Sequence, residues 1–389
     1  MTMKFKNIDD MDMNGKKVIM RADFNVPIIN GKITDDTRIE KSLPTIKKIL
    51  EKGAKQLIIM SHLGRPMGKV VNEFRLDSVG KRLSELLNEN VNKLDDCVDV
   101  EIPNDRIVLL ENLRFHSDEK DNYEFFAKKL ASCADIYVND AFGTCHRAHA
   151  SISKITDFLP SCAGLLVERE LEIIGKAISS PNRPFVAIIG GSKISGKIGV
   201  INHLLQKVDT LLLGGAMIFT FYKAQNFEIG NSLFEEDKID LAKLIMHNEK
   251  LVLPKDIIIS NDRDQNDKIE SVNFDQIPKN MIGLDIGKTS IDQFKEILKD
   301  AKTIIWNGPL GYYENDNFVK ATNEIAKFIS ELKATTIIGG GDCVAAIEKL
   351  GLENKMTHIS TGGGATLELL EGKELPGIRA LQDNMVSFS

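Results

Sequence analysis

The chain of 389 residues is too long for one ordinary hydrophobic core, so two domains are the default. With 42% hydrophobic and 27% charged residues it has the make-up of a soluble globular protein, and a net charge of −6 argues against a general nucleic-acid binder. No apolar run approaches the roughly 18 residues that span a bilayer, the stretch from Met1 to Lys6 leads into no apolar signal core, and five cysteines without CxxC spacing suit reduced thiols in a cytoplasm better than disulfides or a zinc site.

Apolar runs at 17–20, 56–60, 106–110 and 135–138 read as strands separated by helical stretches. Strands alternating with helices predict a parallel sheet, whose ligands lie beyond the carboxyl ends of the strands. Polar residues fall there. Arg21, Asp23 and Asn25 follow the first run, His62 and Arg65 the second, Arg114 the third, and His146, Arg147 and His149 the fourth. Arg38 lies in the segment after the first strand. Arginine accounts for only 12 of the 50 basic residues, so its concentration at these ends is informative. Its planar fork binds carboxylate or phosphate oxygens through paired hydrogen bonds. Any one of these arginines fits a surface ion pair; five together predict a pocket for a small molecule with several negative charges. Asp23 and Asn25 fit either a plain turn or contacts to a substrate hydroxyl. His116, His203, His247 and His358 read as structural. Aromatic residues are not interleaved for base stacking, which argues against a nucleic-acid groove.

Ala163, Leu166, Val167, Leu171, Ile174 and Ile178 are spaced like one apolar face of a helix. The proline-containing stretch 179–184 breaks it and marks a domain boundary, with the helix as connector. The strand-like run 185–189 then enters Gly190 and Gly191, with Lys193 and Lys197 close behind and a helix resuming at Ile198. A glycine turn opening a helix offers free N–H groups to an anion, and the lysines add charge. The stretch nearly completes a P-loop from Gly191 to Lys197, but Ile198 stands where a magnesium-binding hydroxyl belongs. Further runs repeat the pattern. Residues 210–213 end at Gly214 and Gly215, 256–259 form another strand, and 303–305 end at Trp306, Asn307, Gly308 and Pro309. Residues 335–338 end at Gly339, Gly340, Gly341, Asp342 and Cys343 before a helix over 344–350, and 358–360 end at Gly362, Gly363 and Gly364. Such small residues leave slots for an adenine ring and for phosphate oxygens. Asp342 is a candidate magnesium carboxylate or an ordinary helix N-cap. Val344 and Leu367 occupy the last glycine position of a GxGxxG, which argues against a nicotinamide dinucleotide. One half thus suits an anionic metabolite and the other a magnesium nucleotide. Together they predict phosphoryl transfer between two bound substrates.

The chain also resembles the phosphoglycerate kinase family along essentially its whole length. The matching segments are Arg21-Ala22-Asp23-Phe24-Asn25-Val26-Pro27, Ser61-His62-Leu63-Gly64-Arg65-Pro66, Glu111-Asn112-Leu113-Arg114-Phe115, Asp140-Ala141-Phe142-Gly143 and His146-Arg147-Ala148-His149. They continue with Gly190-Gly191-Ser192-Lys193, Trp306-Asn307-Gly308-Pro309-Leu310-Gly311, Gly339-Gly340-Gly341-Asp342 and Gly362-Gly363-Gly364-Ala365. The resemblance implies an α/β fold of two Rossmann-like, doubly wound parallel-sheet domains joined by a helix and hinge. The expected division is 1–165 for 3-phosphoglycerate or 1,3-bisphosphoglycerate, 166–182 as connector, and 183–371 for the magnesium nucleotide, with a tail over about 372–389 packing back on the first domain. It implies reversible transfer of the acyl phosphate of 1,3-bisphosphoglycerate to MgADP, giving 3-phosphoglycerate and MgATP, in line and after hinge closure, by a cytoplasmic monomer without nucleic-acid or membrane partners.

By the same resemblance, Asp23, Asn25, Arg38, His62, Arg65, Arg114 and Arg147 hold the glycerate and its phosphate. Arg38, Lys193, Gly341 and Gly364 serve the transferring group. Lys197, Gly214, Gly215, Gly283, Asn307, Pro309, Glu314, Gly339, Gly340, Gly341, Asp342 and Cys343 hold the nucleotide, and Asp342 its magnesium. The nucleophile in the ATP-consuming direction is a carboxylate, already ionised, so no general base is required. Three positions depart from the family pattern: Gly196 where Asp is common, Cys343 where Ser or Thr is usual, and Lys288 where Pro is common. A thiol at a helix start is expected to be acidified and oxidisable. The rival reading is a P-loop-type NTPase using Lys197; a further one is a non-catalytic anion- or RNA-binding protein.

Overall fold

Short runs rich in Ile, Val and Leu, buried on both faces, are the signature of parallel strands covered by helices. The chain builds two such sheets. In the computed structural model, residues 4–264 and 268–388 are described. Met1 to Met3, part of the stretch read as lacking a signal core, and Ser389, the end of the expected tail, lie outside the described residues. The chain divides into two compact units: residues up to Glu172 together with those from Glu374 onward, and Ile173–Lys373.

In the first unit the strands are β1 (Lys17–Arg21), β2 (Ile28–Ile29), β3 (Lys32–Ile33), β4 (Gln56–Met60), β5 (Asn92–Lys93), β6 (Ile107–Leu109), β7 (Ile136–Asn139) and β8 (Ser161–Ala163). Six of them form one parallel sheet in the order β5-β6-β4-β1-β7-β8, while β2 and β3 make a small antiparallel ribbon. Helices α1 (Thr37–Glu51), α2 (Asp77–Leu87), α3 (Ser117–Lys120) and α4 (Glu124–Ala131) occupy the connections. The chain order reverses at β1, which pairs Arg21 with Met60 of β4 on one side and with Asn139 of β7 on the other. The carboxyl ends of three strands therefore finish level at the switch point, where such sheets place their ligands.

Helix α5 (Leu165–Ser179) runs from the first unit into the second. Its start is fixed inside the first unit: the Leu165 N–H donates to Thr45 Oγ1 at 3.0 Å and the Leu166 N–H to Asp140 Oδ1 at 2.9 Å. The helix begins two residues later than the apolar spacing suggests, because Ala163 still belongs to β8.

The second unit contains β9 (Phe185–Ile189), β10 (Thr210–Leu213), β11 (Leu251–Val252), β12 (Asp256–Ser260), β13 (Ile269–Asn273), β14 (Ile282–Ile286), β15 (Thr303–Asn307), β16 (Thr335–Gly339) and β17 (His358–Ile359). Its parallel sheet runs β11-β10-β9-β15-β16-β17, with the switch point at β9. The strand at 256–259 departs from the repeat expected of it. It is the centre of a separate antiparallel sheet, β13-β12-β14, with a register shift between Ile258 and Ile259. Residues of β13 are largely exposed, so that edge carries no apolar run to announce it. Helices α6 (Ile198–Leu205), α7 (Ile218–Ala224), α8 (Ile239–Met246), α9 (Lys288–Leu298), α10 (Lys320–Ile329), α11 (Gly341–Lys349) and α12 (Gly364–Leu370) complete the unit. Lys288 is the first residue of α9, with Gly287 as N-cap, and is exposed and ion-paired to Asp292 at 2.6 Å. A helix's first position tolerates Pro because its N–H has no partner, and a lysine there costs little. Helix α13 (Pro376–Ser387) lies in the first unit, with Pro376 at its start and Ile378 and Leu381 buried.

Candidate functional site

In the first unit the residues after β1, β4 and β6 interlock through hydrogen bonds. Arg38, in the first turn of α1, pairs with the Asp23 carboxylate at 2.6 Å. Asn25 Oδ1 accepts from the Gly64 N–H at 2.8 Å, while the Gly64 carbonyl accepts from Arg114 Nη1 at 2.9 Å. Gly64 adopts a positive φ of 62°, which lets the N–H and the carbonyl of one residue each meet a side chain of the site. Asn112 shapes the same corner: its side-chain oxygen accepts from the Leu63 and Arg114 N–H groups, and its amide donates to Leu63 O at 2.7 Å.

Positive charge converges here. Burial, then the field of Arg21, lowers the Arg114 guanidinium to about 10, with Arg65 adding to the effect. His62 is buried, and burial followed by the charges of Arg21, Arg114 and Arg38 holds it well below the usual histidine range. It is therefore neutral. Arg21 Nη2 lies 3.1 Å from His62 Nδ1. A guanidinium can only donate, so Nδ1 accepts and Nε2 carries the proton, a donor suited to an anion. His149 is pushed to about 3 by burial, then by Arg21, Arg114 and Arg147. Arg65 and Arg147 are exposed.

Arg21 departs from the reading as a ligand arginine. It is fully buried, donating to Ser151 Oγ at 2.8 Å and lying 3.8 Å from Glu119. Glu119 in turn accepts from the Ser151 hydroxyl at 2.6 Å and N–H at 2.9 Å. Arg21 is a positioning group that fixes the tautomer of His62, because its own donors are spent on neighbours.

In the second unit a cleft of about 720 Å³ is bounded by Gly215, Gly283, Pro309, Glu314 and Asp342 among others. That volume is in the range of small-molecule sites. Gly215 (φ +70°) approaches the Gly191 backbone so closely that a Cβ would lie 2.5 Å from its N and O, so the turn after β10 requires glycine. Gly283 sits on β14 opposite Ile259 and faces Phe219. Phe219 and Leu310 supply an apolar wall that the sequence does not distinguish from ordinary core. Gly214 is buried against Leu310, and Gly339 packs on Asn307 and Thr366.

The helix starts around the turns are open to a ligand. Helices α6, α11 and α12 are preceded by Lys197, Gly340 and Gly363, and none has a side-chain cap. Gly341, Asp342 and Cys343 make the first turn of α11, with Asp342 and Gly341 exposed. Asp342 therefore caps nothing. Its exposed carboxylate on the cleft is a hard oxygen donor that fits a magnesium ion keeping its remaining positions for water and phosphate. Lys197 is half-buried, contacts Asn307 Oδ1, and is lowered by burial against the opposing pull of the Asp342 carboxylate. Lys193 is exposed two residues beyond Gly191, and Gly364 is exposed at the start of α12. A Cβ at Gly196 would meet open space, so the missing side chain leaves no packing defect beside the lysines. The Cys343 thiol is not acidified as expected. It is 1% exposed, and burial pushes it far above the ordinary thiol value, outweighing the Gly308 hydrogen bond and the Lys197 charge.

Comparison with known proteins supplies the remaining information. A family model described as "Phosphoglycerate kinase" matches residues 8–373. The phosphoglycerate kinase of Trichodesmium erythraeum is 54% identical over 391 residues, covering 97% of this chain and 98% of its own. The solved structure of phosphoglycerate kinase from Coxiella burnetii superposes with a TM-score of 0.89 at 40% identity, over 98% of this chain and 99% of that one. The Pyrococcus horikoshii enzyme gives 0.85 at 30% identity, over 98% and 100%.

Proposed function

The chain belongs to the phosphoglycerate kinase family, and from that premise we propose which of its residues carry out the reversible transfer of a phosphoryl group from 1,3-bisphosphoglycerate to ADP, giving 3-phosphoglycerate and ATP. The site after β1, β4, β6 and β7 binds the glycerate substrate. Arg65, Arg114 and Arg147 hold its 3-phosphate, with His62 donating from Nε2, while Asp23 and Asn25 receive its hydroxyl. The cleft of the second unit binds the nucleotide. Gly214, Gly215 and Gly283 flank the base, Glu314 takes the ribose, and Asn307, Pro309, Gly339 and Lys197 line the phosphate path. The open first turn of α11, Gly340 to Cys343, receives the β-phosphate through backbone N–H groups. Asp342 would hold the magnesium ion of the nucleotide, which supplies charge neutralisation on the phosphates.

The moving phosphoryl group needs little covalent assistance. Its acceptor in one direction is a carboxylate and in the other a diphosphate, both ionised at neutral pH. Placement and charge neutralisation remain. Arg38 and Lys193 neutralise the group, and the N–H groups of Gly341 and Gly364 orient its oxygens. Arg38 is held ready by Asp23, at 34% side-chain exposure, and exchanges that partner for the phosphoryl oxygens. Water must be excluded or ATP would be hydrolysed, so transfer follows a closure that brings the two substrates into line. One chain carries both sites, which supports action as a monomer, and the free cysteines support a reducing cytoplasm. No helix among the described residues is long and apolar enough to cross a membrane.

The observation that carries this assignment is the pairing of a neutral, donor-bearing His62 with converging arginines at one switch point, and uncapped helix starts at the other. The test is a coupled assay on Arg38→Ala. Turnover falls about a thousandfold or more while MgADP affinity is unchanged. Near-normal turnover would remove Arg38 from the reaction. ATP hydrolysis independent of 3-phosphoglycerate would instead revive the NTPase reading, against which Ile198 and the family already stand.

A further inference from the structure

A second grouping of reactive side chains lies apart from both substrate sites. Among the described residues, Asp96, Cys97 and His116 place one donor atom each within 4.8 Å of one another. Asp96 Oδ1 is the hub. It lies 2.6 Å from His116 Nε2 and accepts the Cys97 N–H at 2.7 Å. Asp96 is held below the usual carboxylate range; burial opposes this, but the bonds from His116 and Cys97 outweigh it. The Cys97 thiol is pushed well up by burial, then by the negative charges of Asp96 and Glu119.

We propose that Asp96, Cys97 and His116 form a binding site for a borderline-soft divalent ion of the Zn²⁺ class, joining the loop after β5 to the start of α3. An imidazole, a thiolate and a carboxylate are the donors that such an ion selects over magnesium or calcium. Tetrahedral donors at bond lengths of about 2.0–2.3 Å stand roughly 3.3–3.6 Å apart. The 2.6 Å contact between His116 and Asp96 must therefore open by under about 1 Å, and the Cys97 sulfur needs a shift of similar size. Asp96 and His116 are 46% and 31% exposed, which leaves an entry path and a fourth position for water. The Phe126 ring, 5.4 Å from the imidazole, braces it from behind. On binding, the sulfur releases its proton to solvent, and His116 coordinates through the Nε2 lone pair as the neutral tautomer that carries its proton at Nδ1. The ion replaces the hydrogen-bond proton between His116 and Asp96 and relieves the burial of like charge around Cys97. The site is independent of the assignment of the substrate sites.

The full chain, freed of metal with a chelator and dialysed, is titrated with Co²⁺. The expected result is a thiolate-to-cobalt charge-transfer band that saturates at one equivalent and disappears when Zn²⁺ is added. Cys97→Ser abolishes the band. His116→Gln, at a half-exposed position that tolerates change, weakens binding at least as much as loss of an outer-shell partner does, about 10-fold to 100-fold. Cys133→Ser, which alters the partly exposed cysteine, leaves the band intact. The proposal is overturned if no thiolate band forms, if His116→Gln binds as well as the parent chain, or if the band is lost in Cys133→Ser. Should Cys97→Ser fail to fold, the His116→Gln result decides.

Discussion

His62 and His149 are kept uncharged by burial and by surrounding guanidinium groups, with His149 reaching about 3. That neutrality also bears on stability. In the unfolded chain both imidazoles take up a proton near 6.5, whereas the folded chain delays that uptake. Below about 6.5 the unfolded state therefore binds more protons, and stability falls as pH drops from there toward 3. Each histidine contributes up to about 1.4 kcal/mol per pH unit within its window. A series of urea-unfolding curves from about pH 7 to about pH 4 on the parent chain and His149→Gln isolates the effect, since the shared carboxylates cancel. The variant should lose stability less steeply; parallel slopes would mean that His149 is charged in the native state. Under the assignment above, Arg21 gives that neutrality its use, because it occupies Nδ1 and leaves the proton on Nε2 to face the substrate.

The elements assigned above to the nucleotide include helix starts left without side-chain caps, and at α11 and α12 a glycine stands in the cap position. Gly340, the N-cap of α11, has φ +87°, and Gly351, just past the other end of the same helix, has φ +64°. Alanine at either site costs roughly 1–3 kcal/mol of backbone strain. Only Gly340 adjoins the open N–H groups, so Gly340→Ala should also weaken MgADP binding by about tenfold or more, a loss of about 1.4 kcal/mol. Gly351→Ala should lower the melting temperature similarly and leave affinity alone. Calorimetric titration of both variants with MgADP separates the two contributions, and equal affinities would exclude a backbone anion site at α11.

This scale also explains what the sequence discloses. The strands at 17–20, 185–189 and 303–305 are legible because parallel strands covered on both faces leave unbroken apolar runs. The residues just past their ends are legible because sheet topology puts ligands there. The partners of Asp256–Ser260 are not legible. An apolar run says nothing of the direction of its neighbours, and β13 is mostly exposed. Arg21 and Arg114 look alike in sequence, and only Ser151 and Glu119, more than ninety residues away, separate a positioning group from an arginine left available to a ligand. Phe219 and Leu310 line the cleft but are indistinguishable from core by pattern, as the protonation of Cys343 is hidden until its burial is known.

At the scale of the whole chain, the first unit is closed by residues that arrive last. The chain passes from one unit to the other within α5 and again between Lys373 and Glu374, so α13 must find its place after the second unit has been made. Asn384 fixes it. Its side-chain oxygen accepts from the Ser161 N–H at 2.8 Å, and its amide donates to Thr156 O at 2.6 Å and Leu159 O at 2.8 Å. Asn384 is 3% exposed, so Asn384→Ala strands the Ser161 N–H and the Thr156 carbonyl where water does not reach them, while Leu159 O keeps the Ser161 hydroxyl at 2.7 Å. The cost should be about 2–4 kcal/mol, since a buried group left unpaired loses more than a net hydrogen bond is worth. That loss falls on the first unit alone. MgADP, which binds the second unit under the assignment above, stabilises by mass action only what it binds. Calorimetric unfolding of Asn384→Ala in saturating MgADP should therefore show two transitions, the lower one shifted by the mutation and the upper one by nucleotide. A single transition that moves as one with both perturbations would mean that the units unfold together and that the tail's contacts stabilise the entire molecule.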